Sequence, residues 1–291
     1  MITILGTGLL GSGFARAFLK RGAALRVWNR SSAKLAELEK LGARAATAPA
    51  AAVRGAERTH VVLSDDAAVD AVLEAAAPGF APGALVVDHT TTSTAGARAR
   101  TARWRERGVT YLHAPVFMGP QNAADSTGVM LVSGDPAVVA RVSPILAPMT
   151  GKLVDLGPRV DAAAAYKLMG NSFLISLTAG FTDMLALARA MDLAPKDVAT
   201  LFEHFNPGTT LPARLRRILD ADFGHPSWEL AMARKDARLM QAEAAASGVR
   251  LSTLPAFVER MDRLIAEGRG HEDWTVVAEE FVDGARTTRA E

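Results

Sequence analysis

The sequence predicts an α/β domain built on a mostly parallel sheet, followed by an all-α domain, with a long helix joining the two. Three observations carry this. A short apolar run, Ile2 to Leu5, leads into Gly6-Thr7-Gly8-Leu9-Leu10-Gly11 and then into a helically patterned segment that ends near Lys20. Apolar, β-rich runs recur at residues 24–28, 59–63, 84–88, 109–112 and 129–132, separated by alanine-rich helical stretches. After about residue 160 no such run recurs, and helical patterns are punctuated by Pro195, Asn206-Pro207-Gly208, His225-Pro226, Gly248 and Gly268. The expected division is 1–160 for the first domain and 161–291 for a helical substrate and oligomerisation domain. A chain of 291 residues suits that division, since a domain takes on the order of 100 to 200.

The order strand, glycine turn, helix gives the first domain a Rossmann-like reading. The first glycine permits the tight turn, the second lets backbone approach a pyrophosphate, and the third lets helix pack on strand. The helix N-terminus then faces the phosphate charge. Gly6, Gly8, Leu9, Leu10 and Gly11 are therefore assigned to a dinucleotide. The second strand ends at Asn29-Arg30-Ser31, where an NAD site would carry an acid for the ribose 2′-hydroxyl. No acid stands there. Arg30 suits adenine and a 2′-phosphate, Asn29 is neutral, and Ser31, Ser32 and Lys34 add donors, so the expected cofactor is NADP(H).

Composition narrows the partners. The pI is 9.1, yet the net charge is only +2 and acids are interleaved with arginine throughout, which argues against nucleic acid. The chain has no cysteine, so disulfides, thiolate metal sites and a cysteine nucleophile are excluded. A cytoplasmic enzyme is the simplest reading. The apolar N-terminus follows no basic residue and reads as a strand rather than a signal sequence. The segment from Leu168 to Met191 is interrupted by Gly170, Asn171, Ser172, Ser176, Thr182 and Asp183. It reads as a buried helix, not a membrane span. The histidines outside the motifs show no ligand spacing, and no metal is expected.

Only seven of the 33 basic residues are lysines, which makes one inside an apolar helix conspicuous. Lys167 follows Ala162-Ala163-Ala164-Ala165-Tyr166, and Asn171 lies four residues on, on the same helix face. A lysine, about 10.4 in water, is brought down by burial and can exchange a proton where an arginine cannot. The pair can offer one proton-transfer group and one amide to a single oxygen. A snorkelling lysine beside a helix-packing asparagine is the alternative.

Taken together these segments resemble the β-hydroxyacid dehydrogenases from end to end. The glycine turn, Asn29-Arg30-Ser31, Asp88-His89-Thr90-Thr91, His113-Ala114-Pro115-Val116, Lys167 with Asn171, and Lys235-Asp236 occur in that family's order. The resemblance implies an NADPH-dependent dehydrogenase or reductase acting on a small aldehyde, keto or 3-hydroxyacid substrate. Lys167 would be the catalytic general acid or base and Asn171 the substrate-binding amide. Leu63-Ser64-Asp65 would pass over the cofactor's phosphates and ribose, with Thr91 and Lys235 near the cofactor. Homo-oligomers, dimers or tetramers, are usual in the family. Imine reductases are relatives and form the alternative reading; a non-catalytic NADP-binding regulator is a weaker one. One motif departs from the family pattern. Where Ser-Gly-Gly usually holds a carboxylate, this chain has Phe117-Met118-Gly119, which would line the substrate pocket with two bulky apolar side chains. His113 replaces a usual aspartate, and Asp161 and Ala163 stand where glycines usually precede the lysine.

Overall fold

The computed structural model describes residues 1–282 and divides into two compact units, Met1–Ser172 and Phe173–Glu291, the last nine positions of the second lying outside the described residues. In the first unit, strands β1 (Ile2–Leu5), β2 (Leu25–Trp28), β3 (Arg44–Ala45), β4 (Arg58–Val61), β5 (Leu85–Asp88) and β6 (Thr110–His113) form one sheet. Every pairing in it is parallel, in the order β3-β2-β1-β4-β5-β6. The order reverses at β1, which leaves a crevice at the carboxyl ends of the strands. Helices α1 (Leu9–Lys20), α2 (Ala36–Lys40), α3 (Pro49–Val53), α4 (Asp66–Ala76) and α5 (Thr94–Glu106) make the crossovers. Both faces are covered by apolar clusters. One gathers Phe14, Phe18, Val27, Leu112 and Met130; the other gathers Leu5, Val61, Leu73, Val86 and Trp104.

The run at 129–132 does not extend this sheet. Strands β7 (Val116–Phe117), β8 (Val129–Val132) and β9 (Lys152–Asp155) form a second sheet, with β7 antiparallel and β9 parallel to β8. Pro115 is the reason for the break: it has no N–H to continue the β6 ladder, and its carbonyl accepts instead from Leu131 N at 2.9 Å. Helices α6 (Pro120–Asp125) and α7 (Pro136–Leu146) flank β8. A Cβ at Gly13 of α1 would lie 2.5 Å from Pro120 O, so a glycine there lets α6 press against the nucleotide-side helix.

The long helix, α8 (Ala162–Ala190), runs from the first unit into the second, the division falling between Ser172 and Phe173. The rest of the second unit is helical: α9 (Pro195–His204), α10 (Leu211–Leu219), α11 (Leu230–Ala246), α12 (Leu254–Ala266) and a 3₁₀ segment, Trp274–Phe281. Its core holds Phe223, Leu230, Met261, Leu264 and Val276. Asp183 of α8 accepts from the backbone of Thr253 at 2.8 Å and of Leu254 at 2.9 Å, so one carboxylate caps the start of α12.

The expectation of a buried helix at 168–191 is corrected here. In the single chain Phe173, Leu174, Ile175 and Leu177 are exposed, Ile175 to 70%. Apolar residues fall on every side of α8, and one chain covers only part of them. On length and composition alone, Ala162–Ala190 is also long and apolar enough to cross a membrane.

Candidate functional site

The glycine turn has the shape its sequence requires. Gly6 has φ +98°, and a Cβ there would lie 2.1 Å from the Val62 carbonyl. At Gly11 a Cβ would stand 2.0 Å from Gly6 O, so that glycine lets α1 close on the turn. Gly8, by contrast, would meet nothing within 4 Å. It is the N-cap of α1 and offers no side chain to the first-turn amides. Beside it the Thr7 hydroxyl is buried without a partner. Open space at Gly8, an uncapped helix N-terminus and an orphaned hydroxyl together fit an anionic ligand with acceptor oxygens, as a pyrophosphate is.

A cleft of about 590 Å³ opens from this turn. Of the residues expected at the cofactor, Gly8, Leu9, Leu10, Asn29, Arg30, Ser31, Leu63, Ser64 and Thr91 line it. Gly6 and Gly11 shape its floor from behind. Asn29 braces the turn: its Oδ1 accepts from Thr7 N at 3.1 Å and its Nδ2 donates to Ser31 O at 3.0 Å. Ser31 precedes a 3₁₀ turn without capping it. Asp65 is occupied elsewhere: it caps α4, accepting from Ala68 N at 2.8 Å, and that bond holds its carboxyl below the ordinary carboxylate value. Lys235 lies on α11 in the second unit, paired with Asp236 at 2.7 Å. Trp28, His89 and Thr90 also line the cleft. In the sequence each reads only as a strand end, with nothing local to mark it as lining a cleft.

The strand ends are locked by a buried network. Thr90 Oγ1 accepts from Leu63 N at 3.0 Å, tying the β4 exit to the β5 exit. Asp88 accepts from Thr90 N at 2.9 Å and from the Tyr111 hydroxyl at 2.6 Å, and Arg100 donates to that hydroxyl at 3.0 Å. Burial, and then the Asp88 charge, push the Tyr111 hydroxyl well above its ordinary value.

Lys167 stands on the first turns of α8, within the same unit. Those turns are pinned: Ala163 N donates to Ser133 Oγ at 3.0 Å, and Arg159 donates to the buried Asp161 at 2.8 Å. The Arg159 hydrogen bond holds Asp161 at about 2, well below the usual carboxylate range. Lys167 Nζ donates to Asn171 Oδ1 at 2.9 Å, and burial lowers the lysine below its ordinary value. The ring of Phe117 lies 4.3 Å from the same Nζ. Met118 is half-buried against the core, where a Cβ at Gly128 would be 2.8 Å from its Cγ. Gly119 begins α6 as its N-cap. The two bulky loop residues thus have different surroundings. Among the described residues no group of three or more His, Asp or Glu could hold a metal ion.

The family model for the NAD binding domain of 6-phosphogluconate dehydrogenase matches residues 1–157. The chain belongs to the β-hydroxyacid dehydrogenase family. Its members with full-length similarity include an NAD-dependent L-serine dehydrogenase of Pseudomonas aeruginosa, 28% identical over 96% of this chain and 97% of the relative. A 3-sulfolactaldehyde reductase of Escherichia coli is 28% identical over 96% of this chain and 95% of its own. Among solved structures, an imine reductase from Myxococcus stipitatus in complex with NADP+ shares the fold. Its TM-score is 0.89 at 23% identity, covering 95% of this chain and 98% of that one. A reductive aminase from Aspergillus terreus in complex with NADPH and ethyl levulinate superposes at a TM-score of 0.88 with 27% identity, over 96% and 98%. The chain is an NADP(H)-dependent oxidoreductase of this family.

Proposed function

We propose that the protein reduces a small aldehyde or ketone, with Lys167 as the proton donor. The observation that supports this reading is the 2.9 Å hydrogen bond from Lys167 Nζ to Asn171 Oδ1, on a helix start fixed by Ser133 and Asp161. When bound, NADPH supplies the hydride. Gly8, Leu9, Leu10 and Thr7 would hold its pyrophosphate, Arg30 and Ser31 its 2′-phosphate, and Ser64 and Thr91 would approach the rest. Asp65 acts through the α4 cap rather than by touching the cofactor.

Negative charge develops on a carbonyl oxygen as its carbon is reduced, and a nearby donor lowers that barrier. Lys167 is suited to the task, because burial lowers it below its ordinary value and so eases proton release. Asn171 spends its Oδ1 on the lysine and keeps Nδ2 free to donate to the same substrate oxygen. The amide therefore orients the acid and the substrate together. Phe117, Met118 and Gly119 form the loop beside it, Phe117 facing the lysine and Met118 supporting from the core.

Imine reduction is the second reading. It is favoured by the likeness to the Aspergillus reductive aminase. NADPH consumption with uncharged aldehydes, succinic semialdehyde and cyclic imines, and NADP+ reduction with 3-hydroxyisobutyrate, both followed by NADPH absorbance, separate the two. Faster consumption with imines than with any carbonyl compound contradicts the first. The exposed apolar length of α8 further supports a homo-oligomer, dimer or tetramer.

A further inference from the structure

Phe117 ends β7, and its ring is seated on α8. A Cβ at Gly170 would stand 2.3 Å from the ring's Cζ and 2.7 Å from Cε1, so glycine at this position is what lets the ring lie against the helix. One turn away, Lys167 Nζ sits 4.3 Å from the ring centroid, inside cation–π range. The ammonium thus meets an aromatic face and the Asn171 oxygen, 2.9 Å away. An aromatic face carries partial negative charge: it attracts a cation and repels an anion.

We propose that Phe117, seated on Gly170, is the specificity and positioning residue of this site: it holds Lys167 toward Asn171 and screens the ammonium from anionic groups, so that neutral carbonyl compounds are the substrates. The proposal rests on the reading of Lys167 as proton donor. On the side that the ring covers, a carboxylate reaching Lys167 must displace the ring or approach along its negative face, and it must shed water in either case. A neutral carbonyl meets no repulsion from the ring face and sheds its water at far lower cost. A protonated imine would find the ring's cation-binding face already taken and a like charge beside it.

The test uses the full chain and two readouts. The first is kcat/KM for butanal against succinic semialdehyde, a neutral and an anionic aldehyde. The second is the pH dependence of Lys167 acylation by acetic anhydride in the protein without cofactor, followed by peptide mass spectrometry. Native protein prefers butanal. F117S and G170A lower that preference by about tenfold, the size of a half-buried cation–π contact, through KM for the acid. F117L keeps the apolar cover and loses the aromatic face, so its Lys167 acylates at lower pH than native. An unchanged substrate ratio in both F117S and G170A overturns the proposal, as does an unchanged acylation profile in F117L. A K167A enzyme with undiminished turnover instead overturns the proton-donor reading, while the F117L acylation shift still reports the Phe117–Lys167 contact.

Discussion

The imidazoles of His60 and His89 lie edge to edge with near-parallel planes, centroids 5.2 Å apart, and His60 Nδ1 is 2.9 Å from His89 Nε2. Arg58 Nε donates to His60 Nε2 at 3.2 Å, and His89 Nδ1 meets the Ala114 carbonyl at 2.7 Å. Arginine can only donate, so the tautomers follow: His60 donates from Nδ1 to His89 Nε2, and His89 donates from Nδ1 to Ala114. The chain of bonds ends on the residue before Pro115, where the loop bearing Phe117 begins.

Both histidines must be neutral for this arrangement. Burial lowers His60 well below its ordinary value and His89 to about 4. In the unfolded chain each titrates near 6.5, so the unfolded state binds more protons as pH falls below that value. Stability is full above about pH 6.5 and is lost on descending toward 4, with a limiting slope of about 1.4 kcal/mol per pH unit for each histidine. Urea midpoints between pH 8 and 4.5 should decline accordingly, and His89→Gln should flatten the decline. A midpoint independent of pH across that range contradicts the buried neutral pair.

Two glycines of the turn should fail in different ways. Gly6→Ala places a Cβ 2.1 Å from a backbone carbonyl at φ +98°, and a strain on the order of 1–3 kcal/mol should lower the melting temperature. Gly8→Ala meets nothing in the protein, so its melting temperature should stay while NADPH affinity falls. Equal melting losses in the two variants would show that Gly8 serves the fold rather than the ligand.

The fold and the cofactor strip were legible because glycine turns and parallel strands are local patterns. The first unit's strands alternate with helices, and Gly6 to Gly11 could be read from six consecutive residues. The second sheet is harder to read, since β7 is two residues long and carries no periodicity. The seat of Phe117 was hidden for another reason: it joins residues 117, 167 and 170 across a long stretch of chain. Gly170 was its only trace. A glycine inside a helix costs about 1 kcal/mol relative to alanine, and such a cost usually marks close packing. The exposure of α8 is not legible in the sequence, because apolar composition alone does not say which surface covers it.

Cofactor preference should follow Arg30. Arg30 and Ser31 line the cleft at the end of β2, and no carboxylate is among its lining residues. Arg30→Glu should weaken NADPH by tenfold or more, on the order of one charge-assisted bond lost and one repulsion gained, and leave NADH less affected. Fluorescence titration with both cofactors checks this. Tighter NADH than NADPH binding by the native protein would contradict it.

Lys167→Ala tests the central claim most directly, with NADPH affinity and single-turnover reduction of a neutral aldehyde measured on the same sample. The account predicts unchanged NADPH affinity and a rate reduced by about 10²- to 10⁴-fold, the usual contribution of a positioned general acid. Reduction at the native rate, with NADPH bound as before, would contradict it.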